Sequence, residues 1–350
     1  PMNEDFLIRH EELVLRHVPQ EADRRALSYA NLGGDFAAWR DRCKAKLAEL
    51  IHLSSTDPGP VTELRRTDHN AVTVAALVMQ AEDDLTIPAY LLTPPQDRRP
   101  GTAVMAIHGH SPGLGEGCLG LAANGYRGFA MRLAEAGFVV LLPIHRGFGP
   151  LRDIALHRPG YRLDYEKSMH FAYVTDSFLH GRTVVGDNVS DLLRWENWLT
   201  DAHGIERILA AGLSYGGDLA LAYPPFSDRV ERIFASGSSG SFGPHFRRCY
   251  NGPAHCIPGI LNWMDRSDIA GLNAPRPLVM HYGERDTPSL DDPAGENYAA
   301  ACNESADTFL AEAKRIYAAA GAADNIRMIV TPDVAHVMDV EALVEFLTRD

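Results

Sequence analysis

Apolar residues along this chain recur in two rhythms, and the change from one to the other divides it. Over residues 1–55 the spacing is helical. Phe6, Leu7, Leu13, Val14 and Val18 recur near one helical face, and Phe36, Trp39, Leu47, Leu50 and Ile51 do so again. The turn cluster Thr56-Asp57-Pro58-Gly59-Pro60 closes that region. From residue 71 the rhythm is that of strands: Val72 to Val78 and Ile87 to Leu92 predict an antiparallel pair joined by the acidic turn Glu82-Asp83-Asp84. Buried-strand patterns follow at Ala103–Ile107, Phe138–Pro143, Ile208–Leu213, Val230–Ala235, Pro277–His281 and Ile326–Val330. Helical patterns lie between them near 127–136, 184–200, 217–223 and 294–320, with a last one at 339–348.

Strands that are apolar throughout, alternating with helices, predict an α/β fold: a mostly parallel central sheet with helices on both faces. The division is an N-terminal helical extension over 1–60 and a catalytic domain over 61–350. The extension packs on the domain, caps its site or serves as a dimer arm. Two stretches break the alternation, near 145–181 and 237–273. They follow strands whose ends would lie together, and loops that long are usually functional, so both are read as lid-like insertions.

Composition narrows the class. At 350 residues, 45% hydrophobic and 23% charged, the chain is an ordinary globular enzyme in make-up, with ample core. The formal net charge of −13 is spread along the chain without a basic patch, which argues against nucleic acid and anionic membrane as partners. No apolar run has the ~20 residues of a membrane helix. The start, Pro1 to Asp5, is acidic and lacks the features of a signal peptide; Pro1 ahead of Met2 leaves room for a trimmed leader. Five scattered cysteines (Cys43, Cys118, Cys249, Cys256, Cys302) point to a reducing, cytoplasmic setting rather than a disulfide framework. The helical N-terminus is compatible with a homodimer.

Gly212-Leu213-Ser214-Tyr215-Gly216-Gly217 follows the apolar run Ile208–Ala211 and precedes a helix-compatible segment. A strand entering G-x-S-x-G and leaving as a helix is a nucleophile elbow, in which Ser214 stands on a turn too tight for side chains at Gly212 and Gly216. A serine hydroxyl needs a base, and the base needs a carboxylate to orient it. Downstream, the strand ending at Tyr282 leads into Gly283-Glu284-Arg285-Asp286, which offers Asp286 as the acid and Glu284 as its alternative; Asp291 and Asp292 lie too far along the loop. His336 follows the last strand, where the base belongs. For the oxyanion, the N–H of Tyr215 is one expected donor. The loop Ile107-His108-Gly109-His110 supplies the other from the backbone of His110.

With these residues placed, residues 70–350 resemble the α/β-hydrolase superfamily, most of all its dienelactone-hydrolase and acetyl-xylan-esterase-like group, related to prolyl oligopeptidase catalytic domains. The likeness rests on Ile107–His110, the elbow, and Ala274-Pro275-Arg276-Pro277-Leu278 leading to Asp286. Arg146-Gly147-Phe148-Gly149 looks like the Arg-Gly-x-Gly segment of those enzymes, in which sugar acetyl esterases typically carry Gln at x. Phe148 departs from that and counts against a carbohydrate ester. The resemblance implies a serine hydrolase cleaving a small-molecule carboxylic ester through an acyl-enzyme, without a cofactor. A carbon–carbon hydrolase, an acyltransferase or a peptidase is the alternative, since one triad serves all these reactions.

Arg146 either binds a substrate carboxylate or braces its loop. Phe242, Phe246, Tyr250 and Trp263 are expected to line the substrate pocket. Tyr161, Tyr165, Met169, Phe171, Tyr173 and Phe178 either face them or form a satellite core. His245, Cys249, His255 and Cys256 cluster, but their spacing fits no common zinc pattern, so no metal is expected.

Overall fold

The computed structural model describes residues 25–69, 71–83, 85–110, 115–148, 166–243, 252–286 and 295–349. Nine strands form one sheet: β1 Val61–His69, β2 Val72–Glu82, β3 Leu85–Thr93, β4 Thr102–Ile107, β5 Val139–Pro143, β6 Arg207–Leu213, β7 Val230–Ser236, β8 Leu278–Gly283 and β9 Ile326–Thr331. Their order across the sheet is β1-β2-β3-β5-β4-β6-β7-β8-β9. The first three strands and β5 pair antiparallel, and every pairing from β5 to β9 is parallel. The chain passes from β4 outward to β5 and then back across to β6. The C-terminal ends of β4 and β6 therefore border a topological switch point, where open α/β sheets place their sites.

The helices are α1 Phe36–Ile51, α2 Phe129–Glu135, α3 Glu166–Leu179, α4 Val184–His203, α5 Tyr215–Ala222, α6 Arg266–Gly271, α7 Gly295–Ala319 and α8 Val340–Thr348. Successive β-strand side chains alternate between faces, and β4 shows the result: Ala103, Met105 and Ile107 enter one core, Val104 and Ala106 the other. The larger core takes residues from α1, α4, α5 and α7, the smaller from α2 and α8.

Helix α1 begins where Asp35 accepts the Ala37 N–H at 2.8 Å, and it buries Trp39, Cys43, Leu47 and Ile51 at a strict four-residue spacing. That stripe joins the main core, and Thr183, the N-cap of α4, donates to the Ile51 carbonyl at 2.8 Å. The part of the helical pattern before residue 25 lies outside the described residues, as do Phe246, Tyr250, Tyr161 and Tyr165.

Two elements escaped the pattern reading. β1 is exposed along almost its whole length and carries Glu63, Arg65, Arg66 and Asp68, so no alternation marked it. Its charges suit a sheet edge, where an apolar strand would invite pairing with another chain. The insertion after β5 also contains a regular helix, α3. No helix among the described residues is long and apolar enough to cross a membrane.

Candidate active site

Ser214 joins β6 to α5 with φ 64° and ψ −128°, a backbone conformation costly for any residue with a side chain. The close approach of strand and helix enforces it: a Cβ at Gly216 would fall 2.1 Å from the Ile107 carbonyl oxygen. The Ser214 N–H donates to the Ser236 carbonyl at 2.8 Å, and the Ser238 hydroxyl donates to the Ser214 carbonyl at 2.5 Å. A serine at a helix N-cap ordinarily turns its oxygen onto the helix. Ser214 makes no such bond.

The β8 and β9 loops are laced together. Glu284 N–H donates to the Thr331 carbonyl and Arg285 N–H to the Val334 carbonyl, each at 2.9 Å. The Glu284 carboxylate accepts the Asp333 N–H at 3.0 Å, which makes it a brace between the loops. Asp286, 1% exposed, instead accepts the His336 Nδ1–H at 2.5 Å. Burial works against a charged His336, but the adjacent Asp286 carboxylate outweighs it and holds the imidazole above its usual pKa. The same ring lies on the end of β7: a Cβ at Gly237 would sit 2.6 Å from His336 Cε1 and 3.2 Å from Leu213 Cδ1. His336 and Leu213, the residue that precedes Ser214, thus both border the same glycine.

On the other side the β4 loop crosses the elbow. A side chain at Gly109 would meet Ser214 Cβ at 2.7 Å and the Tyr215 nitrogen at 3.0 Å. Tyr126 pins this loop, accepting the Gly109 N–H at 2.9 Å and donating to the His110 carbonyl at 3.1 Å. Nothing in the sequence singled out Tyr126; only its place shortly after a glycine-rich segment is suggestive. His108 is buried and braces the same loop. Its Nε2 accepts the His145 N–H at 3.1 Å, so its proton is on Nδ1, donated to the Gly109 carbonyl at 2.7 Å. Burial pushes the His108 pKa down to about 4.

The expected pocket residues divide. Arg146 is a loop brace: its guanidinium grips Asp191 through two bonds of 2.7 and 2.8 Å and Glu82 through a third of 2.7 Å, and only 5% of the residue is exposed. Of the two readings of Arg146, that network agrees with the brace. Phe148 is buried too, 5.6 Å from the Tyr215 ring and 5.1 Å from His110. Its ring packs beneath the loop. The Tyr215 ring is wholly buried, its hydroxyl accepting from Asn188 Nδ2 at 3.0 Å. Phe242 is buried under the Arg266 guanidinium at 4.4 Å and helps line a small cavity with Asp218 and His255. Trp263 turns from the expected pocket toward the N-terminal segment, where Lys46 lies 4.1 Å above its ring and Leu27 donates to its carbonyl. Of the four residues weighed as zinc ligands, His245 and Cys249 lie outside the described residues. His255 donates from Nδ1 to Asp218 at 2.5 Å.

No family model matches the chain, and no curated protein matches it in sequence. Solved structures do match in shape. A Bacteroides fragilis protein provisionally described as an acetyl xylan esterase has a TM-score of 0.66 at 16% identity, over 94% of this chain and 84% of that one. A glucuronoyl esterase from Solibacter usitatus gives 0.58 at 14% identity, covering 92% and 96%. One from Teredinibacter turnerae gives 0.58 at 14%, covering 94% and 89%. At such identities the likeness is one of fold, and the fold is that of the α/β-hydrolases.

Proposed function

We propose that this α/β-hydrolase-fold chain is a serine hydrolase of carboxylic esters, acting through an acyl-enzyme. The observation that carries the reading is the His336–Asp286 pair at 2.5 Å, its carboxylate buried, set against the end of β7 beside a strained, uncapped serine. In this mechanism Ser214 Oγ attacks the acyl carbonyl while His336 Nε2 takes its proton, and Asp286 stabilises the resulting imidazolium. The developing oxyanion accepts from two amides. One is Tyr215 N–H, at the N-terminus of α5 where the helix dipole favours negative charge. Since Gly109 N–H is engaged by Tyr126, the donor from the β4 loop is assigned to His110. His336 then protonates the departing alcohol. Water, deprotonated by the same imidazole, releases the acid and restores Ser214. No step calls for a cofactor.

Solved structures that resemble this chain include proteins named as a glucuronoyl esterase and, provisionally, as an acetyl xylan esterase. Together with the packing role of Phe148, this supports placing carbohydrate esters beside simple alkyl esters as substrates. The test is labelling by a fluorophosphonate. Stoichiometric modification of Ser214, with hydrolysis of 4-nitrophenyl acetate lost in Ser214→Ala, is expected. Folded protein that neither labels nor turns over would refute the assignment.

A further inference from the structure

A second imidazole–carboxylate pair packs against the residue that follows Ser214. Asp218 occupies the first turn of α5, just behind Ser214 on the same helix. Its carboxylate accepts the His255 Nδ1–H at 2.5 Å and pairs with Arg266 Nε at 2.9 Å. Arg266 is itself buried and donates to the Gly240 carbonyl at 3.0 Å, so Asp218 is held from two directions. His255 is 5% exposed, and its buried Nε2 has no hydrogen-bond partner among the described residues. Asp218 is thus the polar group that fixes the rotation of this ring.

The ring so fixed is stacked on His110, with centroids 5.2 Å apart and planes 20° from parallel. It also meets the Tyr215 ring edge-on at 5.1 Å. His110 and Tyr215 are the residues assigned above to the oxyanion. The exposed His110 side chain is also flanked by Phe148 at 5.1 Å and by the backbone at Gly252, where a Cβ would lie 2.5 Å from His110 Nε2. His255 is too deeply covered to touch substrate. Its reach to the reaction runs through the His110 ring.

We propose that His255, oriented by Asp218, is a positioning residue that sets the His110 loop and with it the second oxyanion donor. The inference rests on the serine-hydrolase reading, and wild-type labelling tests that reading separately. A rigid stack of this kind matters because a donor displaced by about 1 Å costs roughly 100-fold in rate.

The experiment is a double-mutant cycle of His255→Ala and His110→Ala, the second of which deletes the ring but keeps the amide. With 4-nitrophenyl acetate, each single variant should lose about 10- to 100-fold in kcat with KM within about twofold, and fluorophosphonate inactivation should slow in parallel. Because the two rings act as one unit, the double variant should be no slower than the worse single. Asp218→Asn, which keeps an acceptor for His255, should retain most of kcat, whereas Asp218→Ala should behave like His255→Ala. The low-field proton resonance of the His336–Asp286 bond should persist in all of them. Additive losses, or losses confined to KM, overturn the proposal. If His255→Ala does not fold, His110→Ala decides alone, since its ring is exposed, and an unchanged kcat there overturns it equally. Wild-type protein that does not label or turn over refutes the hydrolase reading instead.

Discussion

His336 must be uncharged to accept a proton, and the Asp286 carboxylate holds its pKa above the usual 6.5. The acid limb of kcat/KM is therefore expected to have an apparent pKa above 6.5, and a limb below that value would contradict the pairing. The same shift acts oppositely on stability. A raised folded pKa contributes stability that is full below the unfolded value and lost as pH rises through the folded one. Asp286→Asn should lower kcat by about 10⁴-fold through loss of the correct tautomer and of charge stabilisation, measurable under saturating ester. Ser214 stores strain at φ 64°, which only glycine relieves. Ser214→Gly should accordingly be about 1–2 kcal/mol more stable to urea than Ser214→Ala, both being inactive. Single residues differ in how plainly the chain announces them. Ser214 and His336 sit at fixed places relative to strands, so strand patterns locate them. Asp286 and Glu284 compete at the same strand end, and only the hydrogen bonds of their side chains separate them. Arg146 could not be placed from order alone, because Asp191 and Glu82, which neutralise it, are distant in the chain.

At the scale of elements, the elbow is a packing problem before it is a chemical one. A methyl group at Gly216 would be 2.1 Å from the Ile107 carbonyl oxygen, and backbone cannot move aside cheaply there. Gly216→Ala is expected to cost about 1–3 kcal/mol in stability and to abolish labelling of Ser214, which denaturant unfolding and fluorophosphonate assays would register. An alanine variant of native stability and activity would mean that β4 and α5 are further apart than described. The interior strands could be read because burial on both faces forces runs of apolar residues. β1 could not, since a strand bathed in water on nearly every residue carries no such signature. The insertion after β5 hid helix α3 for a related reason. The mean hydrophobic pattern of Glu166–Leu179 is weakly one-sided, with polar Glu166, Lys167, Asp176 and Ser177 interrupting the stripe.

For the molecule as a whole, the two cores on either side of the sheet enclose imidazoles that burial keeps neutral. His281 bridges the Ser236 hydroxyl at 2.7 Å and the Thr331 hydroxyl at 3.0 Å. Burial lowers its pKa to about 4, against weaker opposing pulls from Asp339 and Asp286. An unfolded histidine takes up its proton near 6.5, so as pH falls from 6.5 toward 4 the unfolded state gains protons that the native state refuses, and stability falls. Each such group contributes about 1.4 kcal/mol per pH unit across that window. His108 acts in the same sense. Asp268, raised to about 6 chiefly by burial, acts in the opposite one. The clean measurement is therefore a difference. His281→Asn should lose less stability than the wild type between pH 6.5 and 4.5, by about 1.4 kcal/mol per unit, and parallel curves would disprove a neutral His281.

Tyr126 fastens the loop after β4, while its chain neighbour Gly125 accepts the Met338 N–H at 2.7 Å, two residues beyond His336. One short stretch thus anchors the His110 loop and the His336 loop together, from a position outside the proposed reacting groups. Evolution or design working there would retune both halves of the chemistry in a single step. Changes at 124–126 should therefore shift turnover and the grip on tetrahedral inhibitors in concert, even though every reacting atom is left intact.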